Sequence, residues 1–194
     1  MQTTYIIISS LIALISPLVY TKAILKGEAK PHRTTRLVLL LITSLATVSL
    51  FAQHNTVAIW LAGVSTLQSI LIFSLSIKYG MGGWAKTDLF CLSIAFLGIL
   101  LWQTTKLPVI ALYASIGADF TGMVPSLVKT YHFPYTEIWI FYLLDVIAAI
   151  FSMLALSTWT IDQFAYPLYI FAINLAMVFL VIRPKLSLKK KVIL

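Results

Sequence analysis

The stretch "SIGADFTGMVPSLVKTYHFPYTEIWIFYLLDVIAAIF", residues 115–151, decides how this chain is read. Two long apolar runs flank a short polar turn, as in a pair of membrane helices. Each run nevertheless carries an aspartate, Asp119 and Asp145, and the first also contains Pro125. A carboxylate at the centre of a membrane helix costs roughly 2.5–3.5 kcal/mol on insertion scales, so intramembrane acids point to function.

The rest of the chain extends the pattern. Of its 194 residues 60% are hydrophobic and 10% charged, with a mean hydropathy of +0.98. Soluble domains carry about 25% charged residues, so the composition predicts an integral membrane protein. Apolar runs long enough to cross a bilayer fall at 4–24, 35–53, 56–77, 88–105, 108–129, 135–159 and 164–182, which gives an all-α fold of seven spans. The first run lacks a basic leader and a small-residue cleavage site, and reads as a membrane helix rather than a signal peptide. The short chain, with no targeting extension, suits a bacterial cytoplasmic membrane.

The net charge of +8 follows from topology, not from nucleic acid. With seven spans, Lys22, Lys26, Lys30, Arg33, Arg36, Lys78, Lys86, Lys129, Arg183, Lys185, Lys189, Lys190 and Lys191 share one side, and Lys106 alone takes the other. Cytosolic loops carry the excess of Lys and Arg, so the N-terminus is expected outside and the C-terminus in the cytosol. The tail "KLSLKKKVIL" reads as a topology anchor able to meet anionic lipid. Trp84, Trp102, Trp139 and Trp159 fall near the predicted interfaces, where aromatic belts lie.

The two halves share a weak repeat. Pro17 and Pro125 are 108 residues apart, Pro31 and Pro134 103, and Gln68 and Asn174 106; Lys22 and Lys129 follow the first proline of each pair. The predicted organisation is a three-helix unit over 1–83, a linker helix over 84–106, a second three-helix unit over 107–184 and a basic cytosolic tail over 185–194. An odd linker makes the repeats parallel, about an axis along the membrane normal.

On these features the chain resembles the SWEET/PQ-loop transporter superfamily. The proline positions resemble the tetrad that lets SWEET helices bend. "PSLVKTYHFPYTEIW" followed by "LLD" looks like the second PQ-loop of cystinosin-type carriers, although Leu18 and Ser126 stand where the motif has glutamine. The resemblance implies a SWEET-like fold and a transporter, with no cofactor.

The residues themselves point the same way. Proline inside a helix removes a hydrogen bond and crowds the carbonyl four residues back, so Pro17 and Pro125 would free the carbonyls of Ala13 and Thr121. Pro17, Pro31, Pro125 and Pro134 are the expected hinges, with Gly117 and Gly122 allowing close helix approach. At 1.5 Å per residue, Gln68, Asp119, Asp145 and Asn174 fall near the depth where repeat-built transporters bind substrate. Asn174, Gln68, Tyr142, Tyr169 and Ser65, with Ser69, are therefore the candidate contacts for a small polar solute. Asp145 and Asp119 are candidates for proton coupling, since burial disfavours the ionised carboxylate; a structural role and direct solute contact stay open for them.

His32 and His132, in corresponding loops, read as solvated residues. Glu137 reads as a first-turn acid facing the dipole of span 6. Cys91 excludes an intrachain disulfide, and no metal-ligand, nucleotide or serine–histidine spacing argues for an enzyme. A vitamin or nucleoside carrier of the PnuC type and a SWEET-fold receptor that binds without transport are the alternatives. A homo-oligomer stays open.

Overall fold

A computed structural model describes residues 2–52, 58–83, 85–104 and 108–192. The turn at 53–55, Trp84, Lys106, and the side chains of Trp102 and of residues 185–194 lie outside the described residues. The described chain is all-helical: α1 (Gln2–Leu25), α2 (Arg33–Ala52), α3 (Ala58–Tyr79), α4 (Lys86–Thr104), α5 (Pro108–His132), α6 (Trp139–Leu154) and α7 (Ile161–Val192). A short 3-10 helix, Pro134–Thr136, precedes α6. Two stretches, Gln2–Leu25 and Phe164–Pro184, are long and apolar enough to cross a membrane.

Five helices follow the apolar runs to within a few residues. The other two depart from expectation. In place of one helix over 135–159, the chain makes the 3-10 turn and then the 16 residues of α6, with the following segment outside the helix. Pro134 therefore opens the 3-10 turn, and Pro31 precedes α2 without entering it. Helix α7 continues beyond 182 to Val192 despite Pro167 and Pro184, so the expected tail is largely helical.

The helices pack as two compact units, Met1–Ala29 with Leu127–Leu194, and Lys30–Ser126. This division differs from the four segments marked out by the repeat. The chain passes from one unit to the other next to Pro31 and next to Pro125, inside α5.

In the first unit α6 packs on both α1 and α7. Serine hydroxyls reach across the α1–α6 contact: Ser9 donates to the Ala148 carbonyl at 2.9 Å and Ser16 to that of Phe141 at 3.3 Å. Small polar residues of this kind let helix backbones approach in apolar surroundings. Tyr20 stacks on Phe141 with ring centroids 4.2 Å apart.

In the second unit α2 packs chiefly on α3 and also on α4. Helix α5 comes close to α2 at Gly122, where a Cβ would lie 2.5 Å from Val38 Cγ1. The expected role of Gly122 in close approach is met; Gly117 faces open space. Val38 is fully buried and its branched side chain has one strongly preferred rotamer in a helix. Gly122→Ala is therefore expected to destabilise by about 1–3 kcal/mol through overpacking. Unfolding in denaturant would measure the loss, and Val38→Ala in the same chain should recover part of it.

Candidate functional site

The expected site residues divide between the units. Tyr142 and Asp145 are one turn apart on α6, and Tyr169 and Asn174 lie on α7, all in the first unit. Tyr142 is almost fully buried, Asn174 is buried, and Asp145 and Tyr169 are half-buried. Ser65 and Gln68, half-buried on one face of α3, belong to the second unit with Asp119 of α5, which is buried.

Each of the four central groups lies close to the middle of a helical stretch. Gln68 is eleventh of the 22 residues of α3, Asp119 twelfth of the 25 of α5, and Asp145 seventh of the 16 of α6. Asn174 is eleventh of the 21 in Phe164–Pro184. The Asn174 amide donates to the Ile170 carbonyl of its own helix at 2.9 Å. That bond holds the side chain by one N–H and leaves the carboxamide oxygen as an acceptor by type.

Asp119 sits where α5 is held most tightly within its unit. On one side Gly122 meets Val38; on the other Ala118 faces Gly98, where a Cβ would lie 3.0 Å from the Ala118 Cβ. One turn on, Thr121 returns its hydroxyl to the carbonyls of Gly117 and Ala118, both at 3.0 Å. Pro125 follows inside the helix, buried.

The sequence reading missed a buried charge cluster in the first unit. Lys129, near the end of α5, pairs with Glu137, and the two side chains are 4% and 0% exposed. The other carboxylate oxygen of Glu137 accepts from the Tyr20 hydroxyl at 2.8 Å, bringing in α1. Lys129 is thus no solvent-facing boundary charge. Glu137 does not cap α6, which starts two residues later with no side-chain cap. The available signal was two opposite charges eight residues apart across the Phe133–Pro134 turn, which reverses the chain and returns the acid to the base. Arg183 of α7 fastens the same end of α5, donating to the Tyr131 carbonyl at 2.7 Å and lying 4.4 Å over its ring.

A second polar cluster closes one end of the second unit. His32 is buried, with Nε2 3.6 Å from Asp88 Oδ1, so it is not the solvated loop residue expected; His132 is exposed, in the last turn of α5. Asp88 accepts from the amides of Gly83 and Ala85 at 3.1 and 3.2 Å, holding the start of α4. Gly82, at φ +71°, lies where a Cβ would stand 2.3 Å from His32 Nε2, so both its backbone angle and the imidazole demand glycine. Arg33 donates to the carbonyls of Ser76, Ile77 and Gly82, two of them at the C-terminal end of α3, where a cation is favoured.

Compared with protein-family models, with curated proteins and with solved structures, the chain matches none of the three.

Proposed function

We propose that the protein is an integral membrane transporter of a small polar solute, with seven spans and a SWEET-like plan, working by alternating access. The carrying observation is the placement of Gln68, Asp119, Asp145 and Asn174 near the middles of four apolar helical stretches. Polar groups at mid-helix make little sense in a passive membrane bundle, and a transported solute or ion gives them a partner.

The surface supports a lipid setting. Large apolar side chains are exposed along α1 (Ile7, Leu11, Leu18), α4 (Phe90, Leu97, Leu101) and α7 (Leu168, Phe179), while Arg36, Asp88, Lys129 and Glu137 are buried. Contiguous exposed apolar surface on this scale suits lipid rather than water. The cationic bias of one set of loops supports a cytosolic C-terminus. The two crossings of the chain beside Pro31 and Pro125 support bending there.

In this reading Asn174, Tyr142 and Tyr169 on the first unit and Gln68 and Ser65 on the second meet the solute. Asp145 and Asp119 carry protons, and Pro17, Pro31, Pro125 and Pro134 permit the bending. The test is flux into proteoliposomes offered sugars, amino acids, nucleosides and small peptides at two pH values, read electrically and with tracer. Saturable flux of one class supports the proposal. No flux of any class, together with tight binding of one solute, favours a receptor and overturns it.

A further inference from the structure

One end of the second unit contains a cavity that the transport reading leaves unused. Its volume is about 380 Å³, within the range of small-molecule sites. The first turns of α2, the last turns of α3 and the first turns of α4 enclose it. Leu37, Phe73, Leu89 and Leu92 supply apolar walls, and Arg33 and Thr34 stand at the end nearest the loops.

Arg33 is the distinctive member. Three of its five N–H groups are given to the Ser76, Ile77 and Gly82 carbonyls, which fixes the guanidinium and leaves two N–H groups to donate. Among the described residues no carboxylate forms an ion pair with it. Asp88, close by in sequence to the cavity-lining Leu89, turns its carboxylate to the Gly83 and Ala85 amides and to His32. The result is a fixed cation at the mouth of an apolar slot. Lys30, Arg36, Lys78 and Lys86 belong to the same helix ends and loops, so this end is the cytosolic one if the chain spans a membrane. Anionic headgroups are available at that level, with acyl chains directly beneath.

We propose that this cavity holds an acyl chain of one anionic phospholipid from the cytosolic leaflet, with the lipid phosphate on the Arg33 guanidinium. Arginine suits that partner through planar, charge-assisted bonds to phosphate, and the apolar walls take the chain. The inference rests on the membrane reading but not on transport.

Native mass spectrometry of the full chain in mild detergent, offered equal phosphatidylglycerol and phosphatidylcholine, reads lipid retention directly. The wild type is expected to prefer phosphatidylglycerol by roughly tenfold, the scale of one charge-assisted contact. Arg33→Gln should bring the two lipids close to equal. Leu92→Trp, which fills the slot and leaves Arg33 in place, should reduce retention of both. Replacing Lys189, Lys190 and Lys191 with glutamine should leave the preference intact.

Equal retention of the two lipids by the wild type overturns the site. So does wild-type retention in a folded Leu92→Trp chain, or a preference that disappears with the tail lysines. If Arg33→Gln fails to fold, the Leu92→Trp and tail variants decide the matter. A chain that stays in the aqueous fraction after carbonate extraction overturns the membrane reading and this site together, whereas absent solute flux leaves the lipid result standing.

Discussion

Lys129→Met is expected to lower stability by about 3–5 kcal/mol, the usual cost of removing one partner from a buried ion pair. The lysine and Glu137 are 4% and 0% exposed, so water does not screen the charge left behind. Methionine preserves the length and apolar stem of lysine, and the loss therefore reports the charge rather than a cavity. After the substitution Glu137 keeps the Tyr20 hydroxyl as a donor at 2.8 Å, which is not enough to hold a buried carboxylate.

The decisive comparison is Lys129→Met combined with Glu137→Gln. Removing both charges leaves an amide whose oxygen can still accept from Tyr20, so most of the loss should return. Thermal or denaturant unfolding of the purified chain in detergent measures all three. A double variant as unstable as the single one would show that charge pairing is not what the cluster contributes.

Asp145→Asn is expected to abolish pH-driven accumulation of the solute while leaving binding and exchange in place. Asparagine has nearly the same shape and keeps an acceptor oxygen, but it cannot gain or lose the proton. Half-buried near the middle of α6, Asp145 is held in the unit that also carries Asn174 and Tyr142. Accumulation driven by a pH gradient and counterflow without one, measured on the same proteoliposomes, separate coupling from recognition. Unchanged accumulation removes Asp145 as the coupling group, and loss of both activities makes it a solute contact or a structural acid. Asp119→Asn run beside it tests the second carboxylate in the same terms.

How legible was the chain? The helices were, because runs of about 20 apolar residues interrupted by Pro, Gly and charged turns mark helix ends without reference to anything distant. Pro17 and Pro125 lie inside helices as read. The segment after His132 was not, since apolar character continues through "FPYTEIWIF" while Pro134 and an extended Glu137 break the backbone before α6. Hydropathy measures side chains and is blind to that break. At the other end, Pro184 and the basic tail looked like a stop, yet helix continues to Val192.

The candidate site was legible in its members and not in its neighbours. Asp119, Asp145, Gln68 and Asn174 stand out because a polar group in an apolar run is conspicuous by itself. Lys129 and Glu137 do not stand out, because a charge beside a turn usually faces water. Their burial requires α1 to bring Tyr20 against the turn between α5 and α6, a contact 117 residues away in the chain. His32 is similar: its sequence neighbours are loop residues, and only Gly82 and Asp88 enclose it.

By itself, then, the sequence determined an all-helical chain, most of its helix boundaries, its one-sided charge and the mid-helix polar groups. These depend on local composition and on the 1.5 Å rise of a helix. The tertiary structure alone decided which charges are buried in pairs, that Gly122 rather than Gly117 is the close approach, and that packing divides the chain beside Pro31 and Pro125. Those outcomes arise from side chains far apart in the sequence competing for the same space, which no local pattern records.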